Sequence, residues 1–188
     1  NLNKDLQNKL DFKLKPNNQE NLNICLFKNE NYNNKIIIFL SQIEKTFLNF
    51  KKFEDEGKIN LRKFEKEISL FAKKIESLSK LSRHIIFFLW PMDIKDSYYG
   101  NYNFKKEGKN WLINFTNVFL TSKISHINNL IVNDPNYNLL KNNEKIEIFD
   151  NKTKYLTNTN YNIDFISFLA KQTSDSILDI TSNKKIKL

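Results

Sequence analysis

Four short apolar runs along the chain predict buried β-strands. Residues 35–40 include three consecutive isoleucines, and residues 84–90 (HIIFFLW) precede Pro91, which has no N–H to donate to a sheet. Residues 129–132 (NLIV) end at the turn signal Asn133-Asp134-Pro135, and residues 11–15 alternate apolar and polar positions. We expect the strands at 35–40 and 84–90 to be adjacent, parallel and central in one sheet.

Amphipathic helices are predicted in the intervals between these strands. Apolar positions between 61 and 78 recur at steps of three and four, and Asn60 stands where an N-cap is expected. Further helices are predicted over 106–122 and 162–178, and residues 19–27 show a weaker helical pattern. The side chains expected to face the core from these two helices are Trp111, Phe115, Val118 and Phe119, and Phe165, Phe168 and Leu169.

Strands that alternate with helices indicate parallel pairing through crossover connections. The expected fold class is therefore α/β, a three-layer α/β/α domain with a mostly parallel sheet. A length of 188 residues favours a single domain over 1–181, followed by a basic linker at 182–188. The longest uncharged apolar run, 85–92, is too short to span a membrane, and no secretion signal is visible. We expect a cytoplasmic protein with no membrane partner.

The net charge of +9 carries little information about partners by itself. The chain has 30 asparagines, and 28 lysines against 2 arginines, a composition typical of AT-rich genomes. Nucleic-acid binders concentrate their charge and favour arginine, whereas the lysines here are spread along the chain with acids between them, at Glu65, Glu67 and Glu76. We therefore expect no nucleic-acid partner, and an acidic protein partner stays open. The single cysteine excludes a disulfide framework and a cysteine-based zinc site.

In an open parallel sheet, ligands bind beyond the carboxyl ends of the strands. This rule selects three loops, at 41–44, 91–104 and 133–134. Ser41 suggests a serine hydrolase, but its base must lie within hydrogen-bond reach, and both histidines, His84 and His126, stand near the starts of strands at the opposite end. Neither a G-x-S-x-G elbow nor a glycine-rich phosphate loop is present. The sequence therefore assigns no catalytic residue.

Acids and tyrosines of the same loops are the remaining candidates. Glu44, Asp93 and Asp96 have no recognisable ligand spacing, so no metal site is expected. The loop over 91–104 contains three tyrosines, Tyr98, Tyr99 and Tyr102. These tyrosines belong either to a partner surface or to the cap of the helix that follows, and both interpretations stay open.

Several stretches of the chain resemble proteins of the FkbH type. Residues 99–104 (YGNYNF) and 108–114 (GKNWLIN), with Asn117, are similar to the family's "GDLNY-K-G…WL-N-N" stretch. Its "D-K-WYLAK-PYS" stretch is similar to Asp150, Lys152, residues 155–156 (YL) and residues 161–162 (YN). Residues 16–19 (PNNQ) resemble its "PYNQ" segment. The similarity runs in order through most of the chain.

The resemblance implies an accessory domain that precedes a haloacid-dehalogenase-like phosphatase domain in the same polypeptide. Such enzymes load a glyceryl or acyl group onto an acyl-carrier protein in polyketide, nonribosomal-peptide or surface-polysaccharide biosynthesis. The family's leading domain has an SGNH-hydrolase-like, flavodoxin-like fold, and residues 184–188 fall where the family enters its phosphatase domain. Magnesium would then belong to that phosphatase domain, and this chain would need no cofactor.

Departures from the family's pattern bear on catalysis. The strand and Ser/Thr-bearing turn at the family's start have no counterpart, the D-x-x-H block of SGNH esterases is missing, and "K-PYS" becomes residues 158–162 (NTNYN). The expected function is therefore carrier-protein docking or acyl-group presentation, without catalysis by this chain. An SGNH-type esterase or acyltransferase using Ser41 and a carboxylate, and a purely structural interaction module, are the alternatives. The residues expected to bind the ligand or partner are Asn18, Gln19, Ser41, Glu44, Asp93, Tyr98, Tyr99, Asn101 and Tyr102.

Overall fold

Three parallel strands form the sheet of this α/β protein. A computed structural model describes residues 32–92, 105–142, 145–150 and 160–182, with side chains from residue 35 onward. The strands are β1 (Tyr32–Phe39), β2 (Ser82–Phe88) and β3 (Leu130–Asn133), in the spatial order β1-β2-β3. Ile37 lies opposite Ile85, and Ile85 lies opposite Leu130. The pairing of β1 with β2 is regular from Ile36 to Phe39, and its register shifts between Tyr32 and Ile36.

Six helices in the described part of the chain connect and flank these strands. They are α1 (Ile43–Thr46), α2 (Leu48–Glu56), α3 (Leu61–Leu81), α4 (Lys109–Ile124), α5 (Pro135–Lys141) and α6 (Ile163–Thr181). Polar N-caps begin three of them: Asn60 accepts a hydrogen bond from the Lys63 N–H, Asp134 from those of Asn136 and Tyr137, and Asn162 from that of Asp164. None of the described helices is long and apolar enough to cross a membrane.

The core is divided between the two faces of β2. Ile85 and Phe87 belong to a cluster formed with residues of β1 and α1–α4. Ile86 and Phe88 belong to a second cluster formed with α5, α6, residues 146–149 and Tyr161. All four side chains are at most 4% exposed. Alternation of side chains along a strand sends successive residues to opposite faces, so an uninterrupted apolar run is what a strand covered on both sides requires.

Aromatic rings fill the larger cluster near the carboxyl end of β2. The Trp90 ring centroid lies 5.3 Å from that of Phe47, 5.5 Å from Phe87 and 6.1 Å from Phe71. These edge-on and tilted contacts place Trp90, which is 1% exposed, at the meeting point of β2, α3 and the chain after α1. The carboxyl end of the central strand is thereby fixed in a closely packed apolar environment.

Most of the predicted elements are confirmed, with boundaries shifted by a few residues. The strands at 35–40, 84–90 and 129–132 correspond to β1, β2 and β3, their pairing is parallel, and Asn60 caps its helix. Phe165, Phe168 and Leu169 of α6 are buried as expected. The predicted strand at 11–15, the helix at 19–27 and the tail at 183–188 lie outside the described residues.

Two predictions about these elements are wrong. β1 lies at an edge of the described sheet rather than in its centre, because only β2 has a neighbour on each side. Val118 of α4 is 62% exposed, while Trp111, Phe115 and Phe119 are half-buried and stack on one another. Periodicity missed the buried side of α4 because that side includes polar residues, namely Asn110, Thr116 and Asn117, among its apolar ones.

Candidate functional site

The carboxyl ends of the three strands lead into the candidate functional site. β1 continues into Ser41 and α1, β2 continues into Trp90 and Met92, and β3 continues into Asp134 at the start of α5. Because the strands are parallel, these three exits lie along the same edge of the sheet. We call this region, together with the residues bonded to it, the carboxyl edge.

Two hydrogen bonds join the loop after β1 to a distant part of the chain. Tyr161 Oη donates to the carbonyl oxygen of Ser41 at 3.2 Å, and Asn160 Nδ2 donates to Glu44 Oε1 at 3.2 Å. Thr46 Oγ1 lies 3.0 Å from Ser41 Oγ and 2.9 Å from the Gln42 carbonyl oxygen. The structure thus brings the predicted residues Ser41 and Glu44 together with two residues that were not predicted.

Residues 160 and 161 are held at the carboxyl edge by backbone pairing. Phe149 and Tyr161 form an antiparallel bridge, the Asp150 N–H donates to the Asn160 carbonyl oxygen at 2.9 Å, and the Asn162 N–H donates to that of Ile148 at 2.9 Å. The Tyr161 ring also stacks on Phe149, at 5.7 Å between centroids. The only indication of these site residues in the sequence was the YN pair at 161–162, which is part of the family resemblance. Nothing in the sequence connects that pair with Glu44.

Burial changes the acid–base behaviour of two groups at this edge. Loss of solvation raises the pKa of Glu44, the nearby Glu54 charge adds to this rise, and the Glu44 backbone N–H, Lys109 and Lys45 oppose it. Burial also raises the pKa of Tyr161 far above its ordinary value, and the Glu44 charge adds to that rise. Tyr161 is therefore a neutral hydrogen-bond donor at physiological pH.

Two buried asparagines fix the chain where it leaves β2. Asn117 of α4 accepts from the Trp90 N–H at 3.1 Å and donates to the Trp90 carbonyl oxygen at 2.8 Å. Asn136 of α5 accepts from the Met92 N–H at 3.3 Å. These amides pair backbone groups of Trp90 and Met92, and they hold the chain in place where it leaves β2.

The geometry separates Ser41 from both histidines. His84 pairs with Ile36 near the amino end of the sheet, five positions before Ser41 along β1, so the two lie roughly 16 Å apart along the strand direction. His126 is exposed and precedes β3 at the same end. Burial, and secondarily the Arg83 charge, lower the pKa of His84. A histidine-assisted attack by Ser41 therefore has no support in this arrangement.

The other predicted site residues are distributed as follows. Asn18, Gln19, Asp93, Tyr98, Tyr99, Asn101 and Tyr102 all lie outside the described residues. Within the ranges that the structure describes, no three His, Cys, Asp or Glu side chains come together in a way that could hold a metal ion. Asp134, in the third selected loop, serves as the N-cap of α5.

Comparisons with known proteins give no match. No family model matches the chain, and neither the curated proteins nor the solved structures contain a significant match to it.

Replacing Asn117 with alanine should destabilise the protein. Loss of its amide leaves the buried N–H and carbonyl of Trp90 unpaired, which we expect to lower the free energy of unfolding by about 2 to 3 kcal/mol. Asn114→Ala, at an exposed position of the same helix, is the matched control and should change it by less than about 0.5 kcal/mol. Urea denaturation measures both, and equal losses would contradict the role given to Asn117.

Replacing Glu44 with glutamine should change how stability depends on pH. The pKa of the Glu44 carboxyl group is higher in the folded protein than its ordinary value of 4.5, so the folded protein binds this proton more tightly than the unfolded chain does. The free energy of unfolding of the wild-type protein therefore decreases as pH rises from 4.5 through the pKa of the folded state. Glutamine has no such proton, so the free energy of unfolding of Glu44→Gln minus that of the wild type should increase over this pH range and be constant below it. Urea denaturation from pH 4 to 8 tests this, with exposed Glu147→Gln as the charge control. A difference that decreases with pH would refute the effect.

Proposed function

We propose that this chain is the leading domain of an FkbH-like enzyme and that its carboxyl edge docks an acyl-carrier protein. In this proposal the domain has a three-layer, SGNH-hydrolase-like fold, and it presents the carrier's glyceryl or acyl group to a phosphatase domain in the same polypeptide. The observation that carries the proposal is the pairing of Glu44 with Asn160 and of Ser41 with Tyr161. This pairing joins the chain after β1 to residues 160–161 at the edge of the sheet where such folds bind ligands. Residues 160–161 belong to a stretch of the sequence that resembles the family.

The chemistry of the carboxyl edge favours binding over catalysis. Its groups are a serine hydroxyl, a neutral phenol, a primary amide and a carboxyl group whose pKa is raised. Tyr161 is buried and its bond to Ser41 holds the edge together, so the half-buried groups Ser41, Glu44 and Asn160 are the ones that would exchange hydrogen bonds with a pantetheine arm or a glyceryl group. Neither histidine is within reach to activate Ser41, so a non-catalytic role is the simpler proposal. In this proposal, magnesium is bound by the phosphatase domain and not by this chain.

Apolar and basic side chains border the same edge. Leu40, at the end of β1, is 41% exposed, and Ile163, two residues after Tyr161, is 71% exposed. The bond between Tyr161 and Ser41 brings the segments containing these two side chains together. Lys45, which follows Glu44 in α1, is exposed. Exposed apolar groups with a polar, cationic border suit an acidic partner protein, and a carrier protein in the cytoplasm fits that description.

Substituting Ile163 should weaken carrier binding without unfolding the protein. Isothermal titration of the 188-residue chain with a glyceryl-loaded acyl-carrier protein should show binding that Ile163→Asp weakens roughly ten-fold, as expected when an interface contact is lost. Ile163 is the first residue of α6, where an aspartate suits the helix dipole. Leu70→Asp is the control, because Leu70 is 59% exposed on α3.

The alternatives predict different results in the same experiment. A structural module binds no carrier in the wild-type form, and that result would overturn the proposal. An SGNH-type esterase hydrolyses a chromogenic short-chain ester and loses this activity in Ser41→Ala, whereas the proposed docking domain hydrolyses no such ester. If Ile163→Asp and Leu70→Asp weaken carrier-protein binding equally, the carboxyl edge is not the docking surface.

A further inference from the structure

The surroundings of Thr46 determine the direction in which the Ser41 hydroxyl donates its proton. Thr46 Oγ1 lies 2.9 Å from the Gln42 carbonyl oxygen and 3.0 Å from Ser41 Oγ. A carbonyl oxygen only accepts, so two oxygens at 2.9 Å repel each other unless the single Thr46 proton lies between them. The contact between Thr46 and Ser41 then requires the Ser41 proton. Ser41 Oγ therefore donates to Thr46 Oγ1, and its lone pairs remain available to a ligand.

Glu44 orients the side-chain amide of Asn160 in a comparable way. Asn160 Nδ2 lies 3.2 Å from Glu44 Oε1, and an ionised carboxyl group accepts hydrogen bonds but cannot donate one. The amino group of the amide therefore faces Glu44, and the amide oxygen Oδ1 is directed away from it. The Asn160 backbone is held by the Asp150 N–H, which donates to its carbonyl oxygen at 2.9 Å. Within residues 32–92, 105–142, 145–150 and 160–182, Asn160 Oδ1 has no hydrogen-bond donor.

Several hydrogen-bond donors near these side chains are engaged within the protein. Tyr161 Oη donates to the Ser41 carbonyl oxygen at 3.2 Å. The backbone N–H of Glu44 interacts with the carboxyl group of the same residue. The Lys109 ammonium group, whose charge acts on Glu44, forms a salt bridge with Glu54 at 2.9 Å. These donors are therefore occupied before a ligand arrives.

The side chains of Ser41, Glu44 and Asn160 consequently offer mainly hydrogen-bond acceptors to a ligand. The acceptors are the lone pairs of Ser41 Oγ, the remaining lone pairs of the Glu44 carboxyl group, and Asn160 Oδ1. The donor that accompanies them is the second N–H of the Asn160 amide. All three side chains are half-buried, so a ligand at this edge can reach them. A ligand that presents several donors and one acceptor is the complement of this set.

This complement distinguishes among the groups that a thioester could present. Adjacent hydroxyls fit, because each has a proton to donate and an oxygen that can accept the spare N–H of Asn160. A saturated acyl chain has no donor and would leave the half-buried acceptors without partners. A phosphoryl group presents acceptor oxygens and a negative charge, which an ionised Glu44 repels. An ammonium group has three donors but no acceptor for Asn160.

We propose that Ser41, Glu44 and Asn160 form a subsite selective for a neutral group with adjacent hydroxyls, such as an unphosphorylated glyceryl group. The inference rests on the proposed function, which supplies the thioester, and it deepens that function by naming the class of acyl group. The direction of the Ser41 proton and the orientation of the Asn160 amide carry the selectivity. In the subsite, Ser41 accepts from a ligand hydroxyl and does not act as a nucleophile.

Titration of the 188-residue chain with small pantetheine thioesters, followed by NMR, tests the subsite without a carrier protein. The experiment is done at about pH 8, which favours the ionised form of Glu44. The glyceryl thioester of pantetheine should bind about ten-fold more tightly than the propionyl thioester, because it makes two additional neutral hydrogen bonds. The phosphoglyceryl thioester should bind no more tightly than the propionyl thioester. Shift changes should be largest at residues 41–44 and 160–161.

Two substitutions test the individual hydrogen bonds. Ser41→Ala should weaken binding of the glyceryl thioester about five-fold and leave binding of the propionyl thioester unchanged. Thr46→Val cannot accept the Ser41 proton, so the hydroxyl can donate to a ligand, and the preference for glyceryl over phosphoglyceryl should fall about three-fold. Thr121→Val is the matched control, because Thr121 Oγ1 also bonds a carbonyl oxygen four residues earlier, that of Asn117 at 2.6 Å. It lies in the last turns of α4 and should leave the preference unchanged.

The outcomes separate this subsite from carrier docking. Equal affinities for the glyceryl and propionyl thioesters, absence of binding by either, or an equal loss of preference in Thr46→Val and Thr121→Val would overturn the subsite. So would tighter binding of a β-alanyl thioester, which presents an ammonium group. Selective thioester binding without binding of a loaded carrier protein would overturn docking and leave the subsite intact. A carrier protein that binds equally with glyceryl and propionyl groups would support docking and overturn the subsite.

Discussion

Burial of β2 on both faces is the constraint on which the rest of the structure depends. Four consecutive side chains, from Ile85 to Phe88, alternate between the two apolar clusters, and each is at most 4% exposed. Full burial of each such side chain contributes about 1.5 to 3 kcal/mol, and both clusters contribute only if helices cover both faces. The placement of α3 and α4 on one face and α6 on the other follows from this requirement.

The same strand determines where the functional surfaces lie. Its carboxyl end is fixed by the aromatic contacts of Trp90 and by the amides of Asn117 and Asn136. Its amino end is joined to α3 without an intervening loop and is tied to the entry of β3 by Asn129. The carboxyl end of the sheet therefore carries the polar groups of the carboxyl edge, and the amino end is fixed by the amide of Asn129.

Local physical rules account for the parts of the fold that the sequence could predict. The isoleucine run before Leu40, the stepped apolar positions of α3 and the cap at Asn60 all depend on neighbours a few residues away. The pairing of Glu44 with Asn160 could not be predicted, because it joins residues 116 positions apart through two polar side chains that have many possible partners. Likewise, α4 has apolar residues around most of its circumference, and its buried face includes the polar residues Thr116 and Asn117, so the apolar pattern alone did not identify that face.

Native-state hydrogen exchange, followed residue by residue by NMR, tests most directly whether β2 is the central strand of the fold. Amides in the best-protected strand exchange only when the whole protein unfolds. The free energy of exchange for Ile86 and Phe87 should therefore equal the free energy of global unfolding, and exchange from β1, at the edge of the described sheet, should require less. Protection in β1 that equals or exceeds the protection in β2 would contradict this account.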